Sequence, residues 1–147
     1  MKQLVTFAAC AALTAGIAAA DSHAFRGIIG DAANIEKDAQ AISYALKPKM
    51  FDSAKIRADV EQLGVHIATL RKDVETLDGN LASLSAQQQT DWELVKTKVQ
   101  LLTIFYDRKN DLMNGDLMKN RSLIRANADG IAKRARMLQQ TASRLDR

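Results

Sequence analysis

Histidine, cysteine and carboxylate side chains most often hold metals or move protons, and this 147-residue chain has few of the first two: His23, His66 and a single cysteine, Cys10. A di-iron helical bundle needs inward-facing Glu-x-x-His pairs, yet Ala20 and Leu63 stand three residues before the two histidines. The covalent haem signature C-x-x-C-H is absent. Met50, Met113, Met118 and Met137 are soft enough to ligate copper, but they are scattered along the chain. His66 precedes the apolar residue Ile67, so it is expected on the flank of a helix, partly exposed. A G-x-S-x-G nucleophile turn is missing. Asp107, Asp111 and Asp116 read as a solvated run. The expectation is a non-enzymatic protein with no cofactor and no metal site.

The cysteine belongs to the leader. Lys2 supplies a positive start, Leu4 to Ile17 an apolar run, and Ala18-Ala19-Ala20 a small-residue cleavage site, with Ser22-His23-Ala24 an alternative. Residues 1–20 are therefore expected to leave as a signal peptide, with residues 21–147 forming one domain. A lipoprotein anchor at Cys10 fits poorly, because only Gln3 to Ala9 precede it after the basic start and Phe7 stands where Leu is usual. A permanent span fits poorly too, because the run is short and mostly alanine. The expected destination is the bacterial periplasm or the outside of the cell. Cleavage would remove the only thiol, leaving stability to the core.

The elements that must position any surface are helices. Phe25, Ile28, Ala32, Ile35, Ala39, Ile42 and Leu46 alternate spacings of three and four, as do Ile56, Val60, Leu63, Ile67, Leu70, Val74 and Leu77. Pro48 ends the first segment, Asp52 or Ser53 caps the second, and "DGN" at 78–80 turns it. A third stripe, Trp92, Val95, Val99, Leu102 and Tyr106, has two capping-box starts, Ser85-x-x-Gln88 and Thr90-x-x-Glu93, and runs to "NGD" at 114–116. There Gly115 suits a left-handed cap and Asp116 begins the fourth segment. That segment carries Leu117, Ile124, Ala128, Ile131, Ala135, Leu138, Ala142 and Leu145.

Four such helices predict an all-α, antiparallel up-down-up-down four-helix bundle. The alternative is a homodimer of two long helical hairpins, coiled-coil fashion. Ala32 and Ala39, with Ala128, Ala135 and Ala142, recur every seven residues, so the first and fourth helices are expected to pack closest.

Two surfaces stand out. Leu101, Ile104 and Phe105 lie off the third stripe and, with Leu112, Met118 and Leu123, form a candidate interaction patch for a protein partner or unfolded client. The last 31 residues hold eight basic and two acidic side chains. Lys133, Arg134, Arg136, Arg144 and Arg147 fall on outer positions there, a candidate face for anionic lipid or polysaccharide. The simpler reading is a solvated face whose cations answer the acidic faces of neighbouring helices. Nucleic acid is not expected, since the chain is exported and lacks interleaved aromatics.

"LSAQQ", Leu84 to Gln88, resembles the L-T-x-x-Q motif of the Spy/CpxP family of periplasmic helical chaperones and stress sensors, with Ser85 in place of Thr. The resemblance implies an exported, all-helical protein that shields clients or responds to envelope stress. It spans five residues, occurs once where that family carries it twice, and shares its spacing with a capping box. A small-ligand or metal-sensing bundle is the alternative from a different class.

Overall fold

The computed structural model describes residues 9–81 and 84–147, with side chains from His23 onward; the expected leader and Cys10 therefore lie outside the described side chains. The elements are α1 (Ala9–Ala45), a 3-10 turn at Pro48–Met50, α2 (Ser53–Asp78), α3 (Ala86–Asp107), the five-residue α4 (Lys109–Met113) and α5 (Leu117–Leu145). Among the described residues the fold is all-helical, with no strand.

Local chemistry sets most of these ends. Pro48 forces Lys47 into extended backbone (φ −66°, ψ 141°), which stops α1. Asp52 caps α2 by accepting from the amides of Ala54 (2.9 Å) and Lys55 (3.0 Å). Of the two starts offered for the third segment, Ser85 is used: its hydroxyl accepts from the Gln88 amide at 3.2 Å while the Gln88 side chain accepts from the Ser85 amide at 3.0 Å. The family-like "LSAQQ" is thus a complete capping box. Asp116 caps α5 through the amides of Met118 and Lys119.

The third segment is not one helix to residue 113. It breaks at Arg108, where Asn127 of α5 donates to the carbonyl of Phe105 at 2.8 Å and so satisfies a helix-end acceptor from outside the helix. Gly115 does not take up the left-handed backbone expected of it; Asn114, with φ −76°, closes α4 instead.

All the stripe residues predicted for α1, α2 and α5 are buried, as are Trp92, Val95, Val99 and Leu102 of α3; Tyr106 is partly covered. Fully burying an Ile or Leu contributes about 1.5–3 kcal/mol, so these rows dominate the stability. The most extensive packing joins α1 to α5. Ala32, Ala39, Ala135 and Ala142 there have 0% exposure, the close approach that the heptad alanines predicted. Next come α1 with α2 and α3 with α5, whereas α2 and α3 touch lightly despite following one another in the chain.

Polar ties cross the same seams. Arg26 meets Asp146 at 3.1 Å. Arg136 donates from Nε to Glu36 at 2.9 Å, and Gln139 donates to the same carboxylate at 2.7 Å. Those two donors hold the Glu36 carboxyl below the usual carboxylate range, Arg136 contributing most. Arg144 reaches Asp91, which is 5% exposed, at 2.7 Å. No described helix is long and apolar enough to cross a membrane.

Candidate functional site

The capping box at Ser85 starts α3 in the register that turns Trp92, Val95, Val99 and Leu102 inward. Of its other apolar side chains, Leu94 (41% exposed), Leu101 (45%) and Ile104 (50%) point outward, while Phe105 and Tyr106 are half-buried. A groove runs along each flank of the helix. They differ in charge.

The groove toward α2 has a volume of about 430 Å³ and is lined by Arg71, Val74, Glu75 and Asp78 of α2 and by Lys96, Val99, Gln100, Thr103 and Ile104 of α3. It exists because α2 and α3 are pinned only near their ends. At one end Trp92 donates from its indole nitrogen to Asp78 at 2.6 Å and packs against Phe25, ring centroids 6.0 Å apart. At the other, the Tyr106 hydroxyl donates to the Val60 carbonyl at 3.3 Å, its ring lying over Gly64. The charges on the rim answer one another. Lys96 lies 3.1 Å from Asp78 and 2.6 Å from Glu93, and Arg71 lies 3.9 Å from Glu75. The indole bond, then Lys96, hold the Asp78 carboxyl below its ordinary range; Glu93 and Asp78 raise the Lys96 ammonium. What remains is a neutral rim around an apolar floor.

The groove toward α5, about 280 Å³, is lined by Lys98, Leu101, Lys133, Arg134 and Met137. Among the described residues no carboxylate lines it. Arg134 is fixed there: its guanidinium lies 3.3 Å from the centre of the Phe105 ring, and one N–H donates to the Gly130 carbonyl at 3.0 Å.

No protein family, curated protein or solved structure matches this chain.

The two candidate surfaces of the sequence are rearranged. Leu101 and Ile104 are exposed but on opposite flanks of α3, one in each groove. Met118 and Leu123 are exposed on α5, and Leu112 is half-buried, its carbonyl accepting from Asn120 at 3.0 Å. Phe105 is half-buried too, lying where Gly130 leaves room and flanked by Arg134 and Arg108. On the basic face, Arg136 and Arg144 answer Glu36 and Asp91, and Arg134 covers Phe105, while Lys133 and Arg147 are exposed. Leu94 and Lys98 carried no expectation from the sequence, and Met137, considered there only as a soft ligand, lines the groove toward α5. Leu94 and Leu101 stand seven apart on α3, a spacing that could have marked them.

The remaining cluster able to hold a proton sits between α1 and α2. His66 lies between Asp38, which its Nδ1 meets, and Gln62, 3.1 Å from its Nε2; since a carboxylate only accepts, Nδ1 carries the hydrogen. Nearby, the buried Oδ2 of Asp31 finds no donor among the described residues. Burial, then the adjacent Asp73 carboxyl, push the Asp31 pKa up to about 6, with His66 pulling the other way. None of these five residues lines either groove. Among the described residues no three His, Cys, Asp or Glu side chains converge to hold a metal ion.

Proposed function

We propose that this chain is an exported, non-enzymatic, up-down-up-down four-helix bundle that binds an apolar segment of a protein partner or unfolded client in the α2–α3 groove. The topology is supported by paired contacts whose numbers run in opposite directions: Arg26 with Asp146 and Glu36 with Arg136, then Trp92 with Asp78 and Tyr106 with Val60. Export rests on the leader-like first twenty residues.

One observation carries the binding role: a groove of about 430 Å³ has an apolar floor, a self-paired charged rim and Ile104 half-exposed at its edge. A rim whose charges already satisfy each other favours apolar over charged ligands. An apolar small molecule held between the helices gains little support from the cavity among Ile42, Leu63, Ile124 and Ile131, which measures about 10 Å³. That is at the lower limit for one water.

The test is the aggregation of a chemically denatured client diluted into the purified protein. The protein should delay aggregation, Ile104→Asp should abolish the delay, and Lys133→Gln, outside this groove, should preserve it. No delay by the unaltered protein, or equal delay by Ile104→Asp, refutes the reading.

A further inference from the structure

The α3–α5 groove carries a positive charge that no carboxylate balances among the described residues. Most other cations on these helices have carboxylate partners: Lys96 has Asp78 and Glu93, Arg125 has Asp129, Arg136 has Glu36 and Arg144 has Asp91, while Arg121 only meets the sulfur of Met118 at 3.8 Å. Lys98 and Lys133 form no ion pair among the described residues, and they converge with Arg134 on one concavity of about 280 Å³ without a carboxylate on its walls. Three like charges around a low-dielectric hollow raise the local concentration of anions and repel one another until one arrives.

The floor between the cations is apolar. Leu101 of α3 and Met137 of α5 are 45% and 43% exposed there, leaving large apolar surface in water. Methionine adapts its shape to what lies against it. Arg134 is already ordered by its stacking on Phe105 and its bond to Gly130, so binding there would immobilise little. Guanidinium has five N–H donors, and one is committed to Gly130. The volume falls just below the range of about 300–1,000 Å³ typical of small-molecule pockets, which suits a headgroup and the first part of a chain.

We propose that this groove binds a single-chain organic anion, with its carboxylate, sulfate or phosphate group held by Lys98, Lys133 and Arg134 and its alkyl chain lying on Leu101 and Met137. The concavity and its apolar floor distinguish it from a flat polyanion-binding face. The site is independent of the α2–α3 groove, with which it shares no residue.

Decanoate below its micellar concentration is the probe, titrated into the full chain and followed through backbone amide NMR shifts, with decanol and acetate in parallel. Decanoate should shift amides around residues 98–101 and 133–137 and bind at least about tenfold more tightly than either control, because each control lacks one half of the recognition. The Lys98→Gln/Lys133→Gln variant should keep its circular dichroism and lose about tenfold or more in decanoate affinity, while Met137→Gln should weaken decanoate and leave acetate unchanged. Equal binding of decanoate and decanol overturns the proposal, as does equal binding of decanoate and acetate. An unchanged affinity in the double variant overturns it too. Binding to anionic phospholipid vesicles without any response to monomeric decanoate would mark a membrane-surface contact instead.

Discussion

The ring of Tyr106 on α3 fills the space that a side chain at Gly64 on α2 would need. A Cβ added there would stand 2.7 Å from the Tyr106 Cζ and closer still to its hydroxyl oxygen. Glycine inside a helix usually costs about 1 kcal/mol relative to alanine, so the position is maintained by the neighbour rather than by the helix. Gly64→Ala should therefore destabilise the protein by about 1–3 kcal/mol through overpacking. Combined with Tyr106→Ala, the same change should become stabilising by about 0.5–1 kcal/mol, its ordinary helical effect. Urea unfolding of the four variants checks the reversal of sign.

Ile104 and Phe105 are sequence neighbours with opposite environments. Ile104→Asp places a charge on an exposed rim and should change stability by no more than about 0.5 kcal/mol. Phe105→Ala empties the space between Gly130 and Arg134 and should cost about 2–3 kcal/mol, less than a fully buried Phe. Thermal unfolding of both separates the binding surface from the packing surface.

Arg144 is half-exposed while its partner Asp91 is nearly enclosed and receives a second, weaker bond from Gln87 at 3.3 Å. Arg144→Ala should cost about 2 kcal/mol, because it strands a buried carboxylate. Asp91→Asn should cost less, since an amide tolerates burial without a cation. Added salt should change the unaltered protein's stability little through this pair, which water screens poorly. Chemical denaturation at low and high ionic strength tests all three.

Asp31 predicts an unusual slope of stability with pH. Its folded pKa of about 6 lies above its ordinary 3.8, so folding favours the protonated form. That contribution is complete below about pH 4 and is lost as pH rises toward and through 6. Asp73 and His66 on α2 are the titratable neighbours that shape this window, and Asp38 on α1 holds His66. Glu36 and Asp78, both held low, act with the opposite sign, and their contribution is lost only as pH falls below the ordinary carboxylate range. Asp31→Asn should flatten the fall between pH 4 and 6 and stabilise the protein at pH 7 by about 1 kcal/mol, after allowing for solvent screening. Thermal unfolding across pH 4–8 measures it.

Chain order alone determined what depends on neighbours within a turn or two. The cap at Asp116, the stop before Pro48 and the inward rows of α1, α2 and α5 were legible, and the other two caps were narrowed to Asp52 or Ser53 and Ser85 or Thr90, because hydrogen bonds to the first helical amides and apolar periods of three and four are local. The alanines of α1 and α5 even forecast the closest seam. Tertiary structure decided the rest. At the break by Arg108 the Phe105 carbonyl is met by Asn127, and Phe105 itself is covered beside Gly130 and Arg134, all from a different helix. The basic run of α5 resolved into paired arginines and an unpaired groove only when Glu36 and Asp91 came within reach and Lys98 joined Lys133. Periodicity specifies the face a helix buries. How far that face extends, and which charges meet, depends on the distance and register between helices, set by side chains far apart in the chain.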